Sequence, residues 1–249
     1  MARQRLGQHF LHSRSALERL AEAACPSREP VVIEIGPGRG ALTEHLLGRA
    51  DRIIAIELDR ALAQSVRRRF RQSPELEVIE ADVLETDLGQ WGPAVVAGNL
   101  PYYITSPVLE KLYALGPLLR HAIVLIQKEV AERLTARPGT RDYGYLTVLT
   151  NFHCRPEVLF TLPPGAFTPP PKVDSAAVRL TPIPPPADLK PAPFLEFVAR
   201  AFRQKRKTLR NNLVPYYGPK VEEWPEARLR AEQLSLEQFM ELHKRLVEG

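Results

Sequence analysis

Five short apolar runs, at residues 31–35, 53–56, 77–80, 94–98 and 122–126, alternate with helical patterns over the first half of this chain. Runs of this kind lack the alternation of a half-exposed sheet, so both faces of each strand are expected to be covered. Parallel neighbours need a crossover of about a dozen residues or more, and a helix supplies it. Helices are predicted over 17–24, through Leu42, Leu46 and Leu47, and over 61–70. The expectation is a doubly wound, Rossmann-like α/β sheet, whose ligands sit at the carboxyl ends of the strands. Residues 147–160 and 173–181 read as two further strands, a hairpin that finishes the sheet. Proline stiffens the loop at 162–171 and marks a linker at 182–186. After it, residues 193–249 are helical in pattern, so the chain divides into a sheet domain, 1–181, and a small all-helical domain, 187–249.

The strand ends carry the chemistry. Glu34-Ile35-Gly36-Pro37-Gly38-Arg39-Gly40 joins the first strand to a helix. Its glycines fall at every second position, which is not the dinucleotide G-x-G-x-x-G spacing, yet they let backbone approach a ligand closely. Glu57 ends the second strand, where a carboxylate can accept from ribose hydroxyls. Asp82 follows the third and can accept from an adenine amine; Asn99 follows the fourth. Any one of these also reads as a turn or a helix cap. Together they place ligand-type groups on one edge.

Asn99-Leu100-Pro101-Tyr102 fits one chemical problem, methylation of an exocyclic base nitrogen. That amine is a poor nucleophile because its lone pair is delocalised into the ring. Two acceptors aimed at its two N–H groups draw it towards tetrahedral geometry. The side-chain carbonyl of Asn99 can be one and the backbone carbonyl of Leu100 the other. Pro101 fixes its own φ and keeps Leu100 extended. Tyr102 offers a flat face to a base drawn out of its stack. The tetrapeptide alone is also an ordinary turn; its weight comes from the strand ends around it.

A formal charge of +5 favours a polyanionic partner. Within 200–210, six cations occur without an acid. Read as a helix, Arg203, Arg206, Lys207 and Arg210 share one arc, and Phe194, Val198, Phe202, Leu209 and Leu213 share the next. That pattern predicts a helix packed on one side and facing phosphate on the other. Cys25 and Cys154 fit no metal or redox spacing, and no metal is expected. No run is apolar enough for a signal peptide or a membrane span.

With these residues in place, the chain resembles the rRNA adenine N6-dimethyltransferase family, closest to its bacterial small-subunit branch of the kasugamycin-resistance type. The likeness covers nearly the whole chain. Leu6-Gly7-Gln8-His9-Phe10-Leu11 is similar to the family's N-terminal segment, which closes over S-adenosylmethionine; some members carry Asn where this chain has His9. The resemblance implies that His9, Leu11, Gly36, Glu57, Asp82 and Asn99 bind this cofactor. It implies that Asn99, Leu100, Pro101 and Tyr102 form the catalytic motif. Phe167-Thr168-Pro169-Pro170-Pro171-Lys172-Val173-Asp174-Ser175 resembles a second aromatic loop, with Phe167 expected to stack on the target base. The 200–210 segment is similar to the family's Arg/Lys-rich RNA-binding helix. The implied activity is dimethylation of two adjacent adenosines in the 3′-terminal hairpin of 16S rRNA, in an immature small ribosomal subunit. A cytoplasmic monomer, with no membrane or DNA partner, is expected. Two rivals stand beside it: a large-subunit rRNA adenine methyltransferase, and an assembly factor acting mainly by binding the pre-small subunit.

Overall fold

The computed structural model describes residues 8–184 and 186–248. Leu6 and Gly7, which open the N-terminal segment singled out above, and Pro185 of the linker lie outside the described residues. In chain order the elements begin with β1 (Phe10–Leu11), α1 (Arg14–Ala24), β2 (Glu29–Ile35), α2 (Ala41–Leu46) and β3 (Ala50–Glu57). They continue through α3 (Arg60–Arg69), β4 (Leu76–Glu80), β5 (Ala94–Asn99), α4 (Thr105–Ala114), β6 (Leu119–Gln127) and α5 (Lys128–Leu134). The remainder are α6 (Tyr145–His153), β7 (Cys154–Leu162), β8 (Phe167–Thr168), β9 (Ser175–Pro182), α7 (Pro191–Ala201), α8 (Leu209–Tyr217) and α9 (Leu236–Glu248).

The chain folds into two units, 1–131 with 155–182 and 132–154 with 183–249. In the first, the main sheet has the order β4-β3-β2-β5-β6-β9-β7. The strands β4, β3, β2, β5 and β6 are mutually parallel, and β9 runs antiparallel to β6. The order reverses between β2 and β5, which makes their carboxyl ends the topological switch point. Every residue of 53–56 and of 122–126 is buried, as apolar runs covered on both faces require. The α/β expectation holds. A separate two-stranded ribbon pairs β1 with β8, Phe10 against Thr168 and Leu11 against Phe167.

Two expectations about the second half are corrected. Residues 145–153 form α6, where a strand was predicted from 147. The β-branched Thr147, Val148 and Thr150 favour a strand. Packing decides otherwise: Val148 and Phe152, one helical turn apart, enter an aromatic core in which Phe152 lies 4.9 Å from Phe194. The Thr147 hydroxyl also accepts from the Gly144 N–H at 3.0 Å and so starts the helix. Residues 132–154, placed in the first domain by the sequence, therefore belong to the second unit. That unit is helical, and its core gathers Phe152, Phe194, Phe197, Leu213 and Phe239.

The basic segment is the other correction. It is not one helix. α7 stops at Ala201 and α8 starts at Leu209, so of the four residues assigned to one arc Arg203, Arg206 and Lys207 occupy the turn between them and Arg210 alone is helical. Buried Asn212 ties the turn down: it accepts from Gln204 N–H and donates to the carbonyls of Ala201 and Gln204. Thr208 caps α8, accepting from Asn211 N–H. The apolar residues of the proposed stripe are nonetheless all in or against the core.

Candidate active site

A cavity of about 430 Å³ opens at the switch point of the first unit. Its wall includes His9, Leu11, Gly36, Glu57, Asp82 and Asn99, so the six residues assigned to the cofactor share one space. Leu100, Pro101 and Tyr102 line it as well.

The glycine loop forms one side. Gly36 has φ +66°, and a Cβ built there meets nothing within 4 Å, so a side chain would occupy the space left for a ligand. Gly38, at φ +58°, is more tightly placed: the Phe10 ring edge stands 3.0 Å from where its Cβ would be, so a side chain there would press on that ring. The Arg39 guanidinium lies 4.6 Å from the centroid of the same ring.

Glu57 is 3% exposed. Its carboxylate accepts from Gly38 N–H at 3.0 Å and from Asp59 N–H at 2.9 Å. Burial raises its pKa, and the two backbone donors oppose that shift. Glu34, 1% exposed, accepts from the Thr43 hydroxyl at 2.6 Å. Burial pushes its pKa up to about 7; Thr43 works against this and the charge of Glu57 adds to it. One Asp82 oxygen accepts from Leu84 N–H at 2.8 Å, which holds the carboxyl at the cavity wall.

Asn99 ends β5 with its carboxamide nitrogen donating to the His9 carbonyl at 2.7 Å. A carbonyl only accepts, so the nitrogen must face it, and Oδ1 remains as the acceptor for a ligand. Leu100 is buried, and its N–H donates to Leu125 O at 3.0 Å, which fixes the peptide after Asn99. The Tyr102 hydroxyl is 2.8 Å from Ser175 Oγ, and burial raises its pKa.

Phe167 is not at the cavity. Its ring is 3% exposed and packs in the core cluster that holds Leu11, Leu162 and Ala166. Side chains alternate along β8, and it is Thr168 that lines the cavity. The free aromatic face at the wall belongs instead to Tyr103, 58% exposed, with Leu58 at 50% also at the wall. Sequence reasoning passed over Tyr103, Phe10 and Glu34. The tyrosine doublet in a turn and an acid inside an apolar strand were the available signals.

The residues present fit S-adenosylmethionine. Acids stand at successive strand ends for ribose and adenine, and the bare Cα of Gly36 leaves room beside them. The ribosomal RNA adenine dimethylase family model matches residues 1–248. The chain belongs to that family. It is an rRNA adenine N6-dimethyltransferase with S-adenosylmethionine as methyl donor. It is 44% identical to the ribosomal RNA small subunit methyltransferase A of Acidobacterium capsulatum, over 97% of this chain and 90% of that protein. A dimethyladenosine transferase from Plasmodium falciparum superposes with TM-score 0.86 at 27% identity, covering 96% of this chain and 98% of that one. The 23S rRNA methyltransferase ErmE superposes with TM-score 0.72 at 30% identity, covering 96% and 99%. The fold is thus shared with an enzyme named for 23S rRNA as well as with a dimethyladenosine transferase.

In the second unit the basic residues differ among themselves. Arg203 bonds the Tyr216 hydroxyl, and Arg210 pairs with Glu222 at 3.2 Å. Arg206 and Lys207 are exposed and make no side-chain ion pair or hydrogen bond among the described residues. No helix among the described residues is long and apolar enough to cross a membrane.

Proposed function

We infer that this dimethylase modifies N6 of two adjacent adenosines in the 3′-terminal hairpin of 16S rRNA, within a maturing small subunit, as a cytoplasmic monomer. The observation that carries the catalytic reading is the fixed Asn99 carboxamide, whose nitrogen is held by His9 and whose oxygen is left to accept. S-adenosylmethionine supplies an electrophilic methyl group when bound. Glu57 and Asp82 hold its ribose and adenine, with Gly36 and Leu11 against it. Asn99 Oδ1 and the Leu100 carbonyl take the two amine N–H groups, and these bonds strengthen as the nitrogen gains charge. Tyr102 supports the base from one face. Nothing here requires an enzyme-bound covalent intermediate; the residues act by placement. In the second unit, Arg203, Arg206, Lys207 and Arg210 contact RNA phosphates, with Arg206 and Lys207 carrying most of the contact.

The choice of small subunit is supported by the name of the 44% identical relative. The test is labelled S-adenosylmethionine offered with unmethylated small subunits, naked 16S rRNA and large subunits, followed by mapping of the modified adenosines. Label confined to two adjacent adenosines of small subunits is the expected outcome. Label in large subunits establishes the ErmE-type target instead, and binding without label establishes an assembly factor.

A further inference from the structure

His9, in the N-terminal segment, meets the catalytic motif. The His9 carbonyl accepts from Asn99 Nδ2 at 2.7 Å. Its ring Nδ1 lies 2.7 Å from the Pro169 carbonyl, and because that oxygen only accepts, Nδ1 carries the proton. Its ring centroid lies 5.7 Å from that of Tyr102, the planes tilted by 33°. Tyr102 is held in turn by Ser175. Next along the chain, the Phe10–Leu11 ribbon pairs with Phe167–Thr168, and His12 N–H donates to Ala166 O. His9 thus bonds the proline loop with its side chain and the motif with its backbone.

We propose that His9 is a positioning residue for methyl transfer, acting through Asn99. The proposal rests on the reading of Asn99 as acceptor for the target amine. A carboxamide has two orientations of nearly equal shape, and only one offers oxygen to an amine, itself a donor. The reversed orientation would set Asn99 Oδ1 against the His9 carbonyl, acceptor on acceptor. His9 therefore selects the productive orientation. The ring's bond to Pro169 and its contact with Tyr102 hold the residue where this selection operates. The acceptor is therefore aimed by His9 in the position that its ring bond and ring contact fix.

The test uses the full chain, single-turnover methylation at saturating cofactor and RNA, and calorimetric cofactor titration. His9→Ala removes the ring bond and should slow the methyl-transfer step about tenfold, the scale of one lost hydrogen bond. His9→Leu keeps bulk without a donor and should match it. His9→Asn places a nitrogen donor one bond from Cγ, as Nδ1 is, and should restore most of the rate. In an Asn99→Ala background His9→Ala should add nothing further, because its effect passes through Asn99. A rate loss recovered by excess cofactor, an additive loss, or no loss while Asn99→Ala is slow would overturn the proposal alone. Asn99→Ala at the wild-type rate would overturn the reading of Asn99 and the proposal with it.

Discussion

The strand-end cavity of the first unit and the basic turn of the second both present polar groups, and they hold them in opposite ways. At the strand ends the groups are buried or half-buried and tied to backbone: Glu57 by two N–H donors, Asp82 by one, Asn99 by a carbonyl. At the turn the cations are exposed, and the backbone beneath them is stitched by Asn212. A group that must meet one reacting atom is fixed before the ligand arrives. Groups that meet a polyanion act by summed charge, which tolerates freedom in each side chain. On the roles proposed above, the placement of each group follows the precision that its role needs.

The severest test of that contrast is Phe167→Ala. The ring is part of the packing behind the N-terminal segment, so its loss should cost about 3–5 kcal/mol of unfolding free energy in a denaturant titration. Unchanged stability with loss of 2-aminopurine capture would return Phe167 to the cavity as a stacking residue. Next comes Asn99→Ala, expected to lower single-turnover methylation a hundredfold or more, about 3 kcal/mol, while cofactor titration still shows binding. A rate within about threefold of wild type, far short of the loss of one oriented donor or acceptor, would break the claim that the strand ends are built for a reacting amine. The smallest effect sharpens the other side. Arg206→Gln with Lys207→Gln should lower the slope of log affinity for small subunits against log salt by about two units. Arg203→Gln with Arg210→Gln should lower it less, because those side chains already bond Tyr216 and Glu222. Equal slopes for all variants would make the turn plain solvated surface.

The cavity was legible in the sequence because strand ends are fixed by topology. Apolar runs name the strands, parallel order puts their carboxyl ends on one edge, and the first one or two residues after the first four runs, Gly36, Glu57, Asp82 and Asn99 among them, line the site. Glu57, Asp82 and Asn99 follow from that alone. What the sequence concealed depends on tertiary packing. A single hydrophobic period ran across Phe194 to Leu213, yet Thr208 and Asn212 break the helix beneath it. Thr208 before Leu209 was a readable cap signal, outweighed by the apolar stripe. In α6 the packing of Phe152 overrode β-branched propensity, and propensity is the weaker prior. The side on which Phe167 faces depends on register with Leu11, a partner distant in sequence.

The second unit is built from two stretches, 132–154 and 183–249, and the three chain crossings between units fall at 131/132, 154/155 and 182/183. It is therefore not a cassette attached to the end of the chain. Exchanging it between relatives at the proline linker alone would graft only the longer stretch and leave α6 behind without Phe194 to receive Phe152, roughly the loss of a buried aromatic in both halves. Modularity here requires three cuts, at 131/132, 154/155 and 182/183, and an exchange that makes all three would carry Phe152 and Phe194 together.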